Sequence, residues 1–112
     1  MKIAVVGSGS WGMTLAIHLL KNGHDVDVWF YLEKDFKQAQ DTRELPDYLP
    51  GVVLPSELNF TMDMEKCVRD KDIILIAIPS HTVGMTLATL SNIISTESII
   101  VNVAKGIEND SL

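Results

Sequence analysis

The sequence predicts an α/β fold in which about five parallel strands form a doubly wound sheet. Short apolar runs alternate with segments of helical periodicity along the 112 residues, a rhythm that is typical of βαβ units. The run Ile73–Ile78 is continuously apolar, as expected of a central parallel strand that is covered on both faces. A glycine-rich stretch, Gly7–Gly12, directly follows the first apolar run and opens an amphipathic segment.

The first third of the chain predicts two strands with a helix between them. The first strand covers Lys2–Val6, and the helix runs from about Ser10 to Asn22. Its buried face is predicted from small and apolar residues at helical spacing: Gly12, Leu15, Ala16, Leu19 and Leu20. Gly23 stands where a left-handed residue commonly ends a helix. Val26–Phe30 is predicted as the second strand.

The middle of the chain is more polar. Residues Glu33 to Glu44 are predicted as a short helix, and the prolines that follow mark an irregular loop at about Leu45–Ser56. A brief strand at Leu58–Thr61 and a short helix at Met62–Arg69 come next. That helix is predicted to direct three residues inward: Met64, Cys67 and Val68.

The last third predicts two strands and one connecting helix. Pro79 ends the apolar run, and Ser80 is a candidate cap for the helix. Its buried stripe is predicted from Val83, Leu87, Leu90 and Ile94. Ile99–Val103 is the last strand, which we expect to be an exposed sheet edge. The predicted strand order is 3-2-1-4-5, so the ligand crevice lies outside the carboxyl ends of strands 1 and 4.

The stretch Gly7-Ser8-Gly9-Ser10-Trp11-Gly12 matches G-x-G-x-x-G in the strand–turn–helix context that makes this pattern informative. Gly7 permits the tight turn, Gly9 permits close approach of a pyrophosphate, and Gly12 permits close packing of helix on strand. The N–H groups at the helix start then face the phosphates. We therefore predict a dinucleotide-binding loop, with a glycine-rich turn that holds no ligand as the alternative.

Composition excludes several classes of function. Nine Lys and Arg against fifteen Asp and Glu give a net charge of -6, and an acidic domain without a basic run is a poor general binder of nucleic acid or anionic membrane. The single cysteine, Cys67, excludes an internal disulfide and a multi-cysteine zinc site. No run approaches the roughly 18 apolar residues that a membrane span needs. We expect a cytoplasmic domain with no metal site and no membrane span.

The end of the second strand leaves the cofactor preference open. An Asp or Glu there favours NAD through the ribose 2′-OH, whereas an Arg favours NADP. This chain instead has Phe30-Tyr31-Leu32-Glu33. Glu33 and Lys34 are candidates for reaching the ribose or a phosphate, although solvated turn residues are the simpler interpretation of both.

A few other residues are candidates for chemistry. Lys105 follows the last strand at the ligand edge, where a compact cation suits a phosphate or a polarised oxygen, while an exposed lysine is the simpler interpretation. Trp11 is equally compatible with shaping a cofactor pocket and with being a core aromatic. His81 begins a helix at the same edge, and Cys67 is expected to be buried.

On these residues the sequence resembles the amino-terminal part of NAD(P)-dependent glycerol-3-phosphate dehydrogenase of the bacterial type. The resemblance covers essentially the whole chain in order. It rests on Lys2–Gly12, Ala16–Leu19, Asn22–His24, Val28–Trp29, Tyr48–Gly51, Pro79–His81 and Ala104–Glu108. The combination of Gly-Ser-Trp-Gly, Tyr-Leu-Pro-Gly and Ala-Lys-Gly-Ile-Glu is far more specific than the glycine pattern alone.

The resemblance implies a Rossmann-type fold and hydride transfer between NAD(P)H and dihydroxyacetone phosphate, giving glycerol 3-phosphate for glycerophospholipid synthesis. It implies that Ser10, Trp11 and Tyr48 contact the cofactor and that Lys105 contacts cofactor and substrate. Tyr31 stands where such enzymes often have an arginine that faces the 2′-phosphate, which puts NADP preference in doubt. The full set of candidate NAD(H)- or NADP(H)-binding residues is Gly7, Ser8, Gly9, Ser10, Trp11, Gly12, Tyr31, Tyr48 and Lys105.

Such enzymes are much longer and carry their catalytic lysine in a helical carboxyl-terminal domain. The resemblance thus implies that residues 1–112 are an NAD(P)-binding fragment, which binds cofactor without turnover and is compatible with a homodimer. One alternative is a stand-alone dinucleotide-sensing module, although a sensor has no need for a substrate-side lysine such as Lys105. Another is a related dehydrogenase for a hydroxy acid or acyl thioester, against which the Trp11 loop and Pro79–His81 weigh by resemblance.

Overall fold

The computed structural model describes residues 1–78, Leu90 and residues 98–103. In these residues, five parallel strands form a sheet in the order β3-β2-β1-β4-β5, which confirms the predicted topology. The elements are β1 Lys2–Val6, α1 Ser10–Lys21, β2 Asp25–Trp29, α2 Glu33–Thr42, β3 Asn59–Thr61, α3 Met64–Val68, β4 Ile73–Ile76 and β5 Ile99–Asn102. The predicted helix from Ser80 onward lies outside the described residues except for Leu90, which is helical and buried.

The central strand β1 divides the core into two halves. Ile3 and Val5 belong to one cluster of buried residues, and Ala4 and Val6 belong to a second cluster. Successive side chains of a strand point to opposite faces, so the two clusters cover the two faces of the sheet. This explains why the strand is apolar at consecutive positions, as is usual in a doubly wound sheet.

Helix α1 packs on the sheet through a narrow face of Gly12, Met13 and Ala16. Leu15, Leu19 and Leu20 of the predicted face are half-buried, and the prediction missed Met13, which is fully buried. Gly12 lies against the turn that follows β1. The helix ends at Lys21, and Gly23 follows it as the predicted left-handed residue, with a φ of +89° and its N–H donating to the Leu20 carbonyl.

The segment between α2 and β3 is irregular, as predicted, but it contributes to the core. Leu45 and Leu54 are fully buried. Arg43 ends α2 with a φ of +56°, and its guanidinium donates to the carbonyls of Pro55 and Leu58. The same guanidinium lies 4.3 Å above the centre of the Phe60 ring. One arginine therefore ties the loop to the edge strand, at a position for which the sequence offers no periodic signal.

Helix α3 is shorter than the predicted Met62–Arg69. Its side-chain cap sets the start, because the Asp63 carboxylate accepts the Lys66 backbone N–H at 3.1 Å and leaves Met62 outside the helix. Cys67 is buried, as predicted, and burial raises the pKa of its thiol to about 12. At neutral pH this thiol is protonated, so it acts as a packing residue.

Strands β2 and β4 also differ in their bounds from the predictions. Strand β2 begins one residue earlier, at Asp25, and leaves Phe30 buried beyond its end. Strand β4 ends at Ile76, and Ala77 leaves the strand to pass close to Gly7. Strand β5 forms an edge of the described sheet, with Ile99, Ile100 and Val101 exposed as expected.

Two expectations from composition concern membrane spans and metal sites. Among the described residues, no helix is long and apolar enough to cross a membrane. Within the same residues, no group of three or more His, Cys, Asp or Glu side chains is arranged to hold a metal ion.

Candidate functional site

A cleft of about 620 Å³ opens at the carboxyl ends of β1 and β2 and at the start of α1. Its lining consists of Gly7, Ser8, Gly9, Ser10, Trp11, Gly12, Thr14, Tyr31, Leu32, Asp35, Tyr48, Ala77 and Ile78. The residues of the predicted cofactor site that the structure describes, Gly7–Gly12, Tyr31 and Tyr48, all lie in this one cleft, whereas the candidates Glu33 and Lys34 do not line it. The remaining candidate, Lys105, lies outside the described residues, as does His81. The cleft stands at the switch point between β1 and β4, where ligands bind in folds of this type.

The three glycines of the loop have different surroundings. A Cβ on Gly7 would lie 2.7 Å from the Ala77 carbonyl carbon, and Gly7 has a φ of +132° that L-residues rarely adopt. A Cβ on Gly12 would lie 3.1 Å from the Gly7 carbonyl carbon. A Cβ on Gly9 would meet nothing within 4 Å. Gly7 and Gly12 are thus required by the fold, whereas no described protein atom requires Gly9 to be glycine.

The start of α1 presents backbone donors to the cleft that have no partner among the described residues. Gly9 is the N-cap, no side chain in the described part of the chain caps the first turn, and that turn holds no acidic residue. The first N–H groups of a helix have no partner within it, and they carry its positive dipole end. With Gly9 open to the cleft, a phosphate can approach these donors closely. This is how a chain with a net charge of -6 can hold an anion.

Hydrogen bonds tie the glycine-rich loop to the opposite wall of the cleft. The Ser10 hydroxyl donates to the Tyr48 carbonyl at 2.9 Å. The Tyr48 hydroxyl donates to the Asp35 carboxylate at 2.7 Å. Asp35 is only 4% exposed and lies in the first turn of α2, where the helix dipole favours a carboxylate. These contacts fix three separate segments around one cavity.

Replacing Tyr48 by Phe tests this connection. The change removes a donor from a buried carboxylate, and we expect a loss of about 1–3 kcal/mol in the free energy of unfolding at pH 7. The hydrogen bond to Asp35, burial and nearby negative charge raise the pKa of Tyr48, so its neutral form is favoured in the folded state. The wild-type advantage is therefore present at pH 7 and decreases as the pH rises above about 10.

Urea unfolding of wild type and Tyr48→Phe, at pH 7 and again at a pH above about 10, measures the difference in their free energies of unfolding. Tyr31→Phe is the matched control, because Tyr31 is 75% exposed and its loss of a hydroxyl should leave the unfolding free energy nearly unchanged. Equal stability of wild type and Tyr48→Phe at pH 7 would show that the Tyr48–Asp35 contact does not hold the wall of the cleft.

The rim of the cleft is apolar and exposed. Trp11, Tyr31 and Leu32 are exposed by 37%, 75% and 49%. The Tyr31 ring lies 6.0 Å from the ring of Trp29 at an interplanar angle of 59°. Exposed aromatic and aliphatic side chains around a concave site are typical of a surface that a flat ligand covers.

Sequence reasoning missed five residues of the lining: Thr14, Leu32, Asp35, Ala77 and Ile78. Two of them carried a usable signal, because Ala77 and Ile78 end the predicted central strand at the ligand edge. Thr14 is exposed on α1 and lines the cleft, with its hydroxyl donating to the Ser10 carbonyl at 2.6 Å. Asp35 carried no signal, since its partner Tyr48 lies across an irregular loop.

A second cavity, of about 490 Å³, lies away from this cleft against the edge strand β3. Its lining includes Arg43, Lys66 and Asp27. It contains none of the candidate residues from the sequence, and it serves below as a comparison site.

Comparisons with known proteins agree with the geometry of the cleft. A family model described as the NAD-dependent glycerol-3-phosphate dehydrogenase N-terminus matches residues 2–112. Glycerol-3-phosphate dehydrogenase [NAD(P)+] from Fusobacterium nucleatum is 40% identical over 112 residues, which are 100% of this chain and 33% of that protein. A second such enzyme, from Lactobacillus delbrueckii subsp. bulgaricus, is 45% identical over 111 residues, 99% of this chain and 33% of that protein.

A solved structure shows the same architecture. The crystal structure of glycerol-3-phosphate dehydrogenase from Coxiella burnetii has a TM-score of 0.84 and 28% sequence identity. The match covers 90% of this chain and 31% of the other. The chain thus spans about a third of the length of the curated relatives it matches.

Proposed function

The chain belongs to the family described as the NAD-dependent glycerol-3-phosphate dehydrogenase N-terminus, and from that premise we propose that residues 1–112 are a Rossmann-type domain that binds NAD(H) or NADP(H) in the cleft at the start of α1. The observation that carries the proposal is Gly9, which no neighbouring atom of the described chain requires to be glycine. A Cβ there would instead occupy the space through which a pyrophosphate reaches the helix N-terminus.

The residues around the cleft fit a dinucleotide along its length. Gly7, Gly9 and Gly12 shape the phosphate loop, and Ser8 and Ser10 bring polar groups to it. Trp11 and Tyr48 line the walls on either side. Tyr31 lies at the end of β2, where the adenosine ribose binds in this type of fold. We propose these residues as the cofactor site, with Lys105 as a contact to both cofactor and substrate.

For the enzyme as a whole, we propose the interconversion of dihydroxyacetone phosphate and sn-glycerol 3-phosphate, in the cytoplasm and in support of glycerophospholipid synthesis. The bound nicotinamide supplies or accepts the hydride. The role of the described residues is to bind and orient the dinucleotide, since hydride transfer depends on accurate placement of the reacting groups. A homodimer is compatible with this proposal. The stand-alone sensor gains no support, because the relatives above are named as dehydrogenases.

The 112-residue chain spans about a third of its relatives, and we propose that by itself it binds the cofactor without turnover. Two assays on the same preparation test this. Calorimetric titration with NADH should give saturable binding, and incubation with NADH and dihydroxyacetone phosphate should give no oxidation of NADH. Absence of binding by a folded chain would overturn the proposed cofactor site. Turnover would overturn only the proposal that this chain by itself does not catalyse the reaction.

A further inference from the structure

We infer that the cleft prefers NAD(H) over NADP(H), and that the uncharged residue Tyr31 and the carboxylate of Asp35 set this preference. The inference rests on the proposed function, since it concerns the adenosine end of the same cleft. NADP differs from NAD by one phosphate on the ribose 2′-OH, so the question is what the protein offers at that point.

The described lining of the cleft holds no cation. A 2′-phosphate is commonly held by an arginine or lysine near the end of the second strand. The two lysines of α2 do not supply one. Lys34 is exposed and does not line the cleft. Lys37 is paired with Glu33 at 2.9 Å, one turn along the helix.

The charge that the described lining does contain is negative. Asp35 lines the cleft, and its carboxylate is fixed in place by the Tyr48 hydroxyl at 2.7 Å. A held carboxylate cannot swing away from a dianion placed nearby. Like charges that meet in a binding site lower affinity strongly. The Asp35 carboxylate therefore disfavours the 2′-phosphate, whereas a ribose 2′-OH can donate a hydrogen bond to a carboxylate.

Tyr31 explains how affinity is kept without a charged contact. Its ring is 75% exposed and lies beside Leu32 at the rim, with the ring of Trp29 at 6.0 Å. Bases stack readily on exposed aromatic rings, and stacking does not depend on the 2′ substituent. Tyr31 therefore offers the adenine a surface that serves both cofactors, while the Asp35 carboxylate and the lack of a cation in the described lining decide between them.

Calorimetric titrations of wild type with NADH and with NADPH provide the first test. We expect NADH to bind more tightly by roughly tenfold or more. Tyr31→Arg adds a cation at an exposed position that should not disturb folding, and it should move the ratio of the two Kd values toward NADPH by roughly tenfold. Gln40→Arg is the matched control, because it adds the same charge to α2 outside the cleft and should leave the ratio unchanged.

The outcomes separate this inference from the proposed function. If neither cofactor binds to the folded wild type, the proposed function fails. If NADPH binds as tightly as NADH, the cofactor site stands and the inference of a preference is overturned. If wild type prefers NADH but Tyr31→Arg leaves the ratio where it was, Tyr31 does not determine the preference. If Gln40→Arg moves the ratio as much as Tyr31→Arg, the effect is one of net charge and the assignment to Tyr31 also fails.

Discussion

Replacing Gly9 by Ala should weaken NADH binding roughly a hundredfold while the protein stays folded. The added methyl meets no atom of the described residues within 4 Å, and Gly9 has a φ of -68°, which alanine adopts freely. As the N-cap of α1, alanine is somewhat less favourable than glycine, so we expect a loss below about 1 kcal/mol in the free energy of unfolding. The methyl instead projects into the cleft and separates the phosphates from the helix N-terminus.

Calorimetric titration and urea unfolding of the Gly9→Ala protein together check this expectation. A large drop in NADH affinity together with only this small loss of stability is the result expected of a ligand-facing glycine. Unchanged NADH affinity would show that the cleft does not bring a pyrophosphate to this loop, whatever the stability of the variant.

Replacing Gly7 by Ala should, unlike Gly9→Ala, act mainly on stability and lower the free energy of unfolding by about 2–5 kcal/mol. The methyl would lie 2.7 Å from the Ala77 carbonyl carbon, and that neighbour is backbone that cannot rotate away. The φ of +132° adds strain for any residue with a Cβ. Because β1 and β4 are paired at the centre of the sheet, movement of Ala77 would disturb the strands that carry the core.

Gly23→Ala separates the effect of backbone strain from the effect of steric overlap with a neighbour. Gly23 also has a positive φ, of +89°, but a Cβ there would meet nothing within 4 Å. We expect it to lose about 1–2 kcal/mol, from backbone strain alone. Urea unfolding followed by circular dichroism gives both values. If Gly7→Ala cost no more than Gly23→Ala, the close approach of Ala77 would not be a feature of the folded protein.

The topology could be predicted from the sequence because its signals are local and periodic. The short apolar run of β1 is followed by a segment of helical periodicity, and a second apolar run begins at Ile73. This succession of elements predicts parallel strands with helices on both faces. The predicted strand order located the switch point of the sheet, and the glycine spacing predicted the phosphate loop there. Boundaries were less accurate, since the Asp63 cap starts α3 later than predicted and Ala77, which passes close to Gly7, ends β4 earlier than predicted.

The residues of the candidate site were likewise only partly predictable from the sequence. The glycine-rich loop follows from the pattern itself, whereas Tyr31 and Tyr48 came only from the resemblance to a family. Asp35 escaped prediction because its significance depends on a hydrogen bond from Tyr48, which reaches it only after the irregular loop has folded back. Arg43 escaped for the same reason, as its contacts with Pro55, Leu58 and Phe60 are tertiary.

The central claim is that the N-terminus of α1 holds the pyrophosphate of a dinucleotide, and backbone amide NMR of the chain tests it most directly. On addition of NADH, the amide signals of Gly9, Ser10, Trp11 and Gly12 should shift in a saturable way, because their N–H groups meet the phosphates. Amides around the comparison cavity, such as Arg43 and Phe60, should stay in place. Shifts confined to that second cavity, or loop amides that do not respond to saturating NADH, would contradict the account.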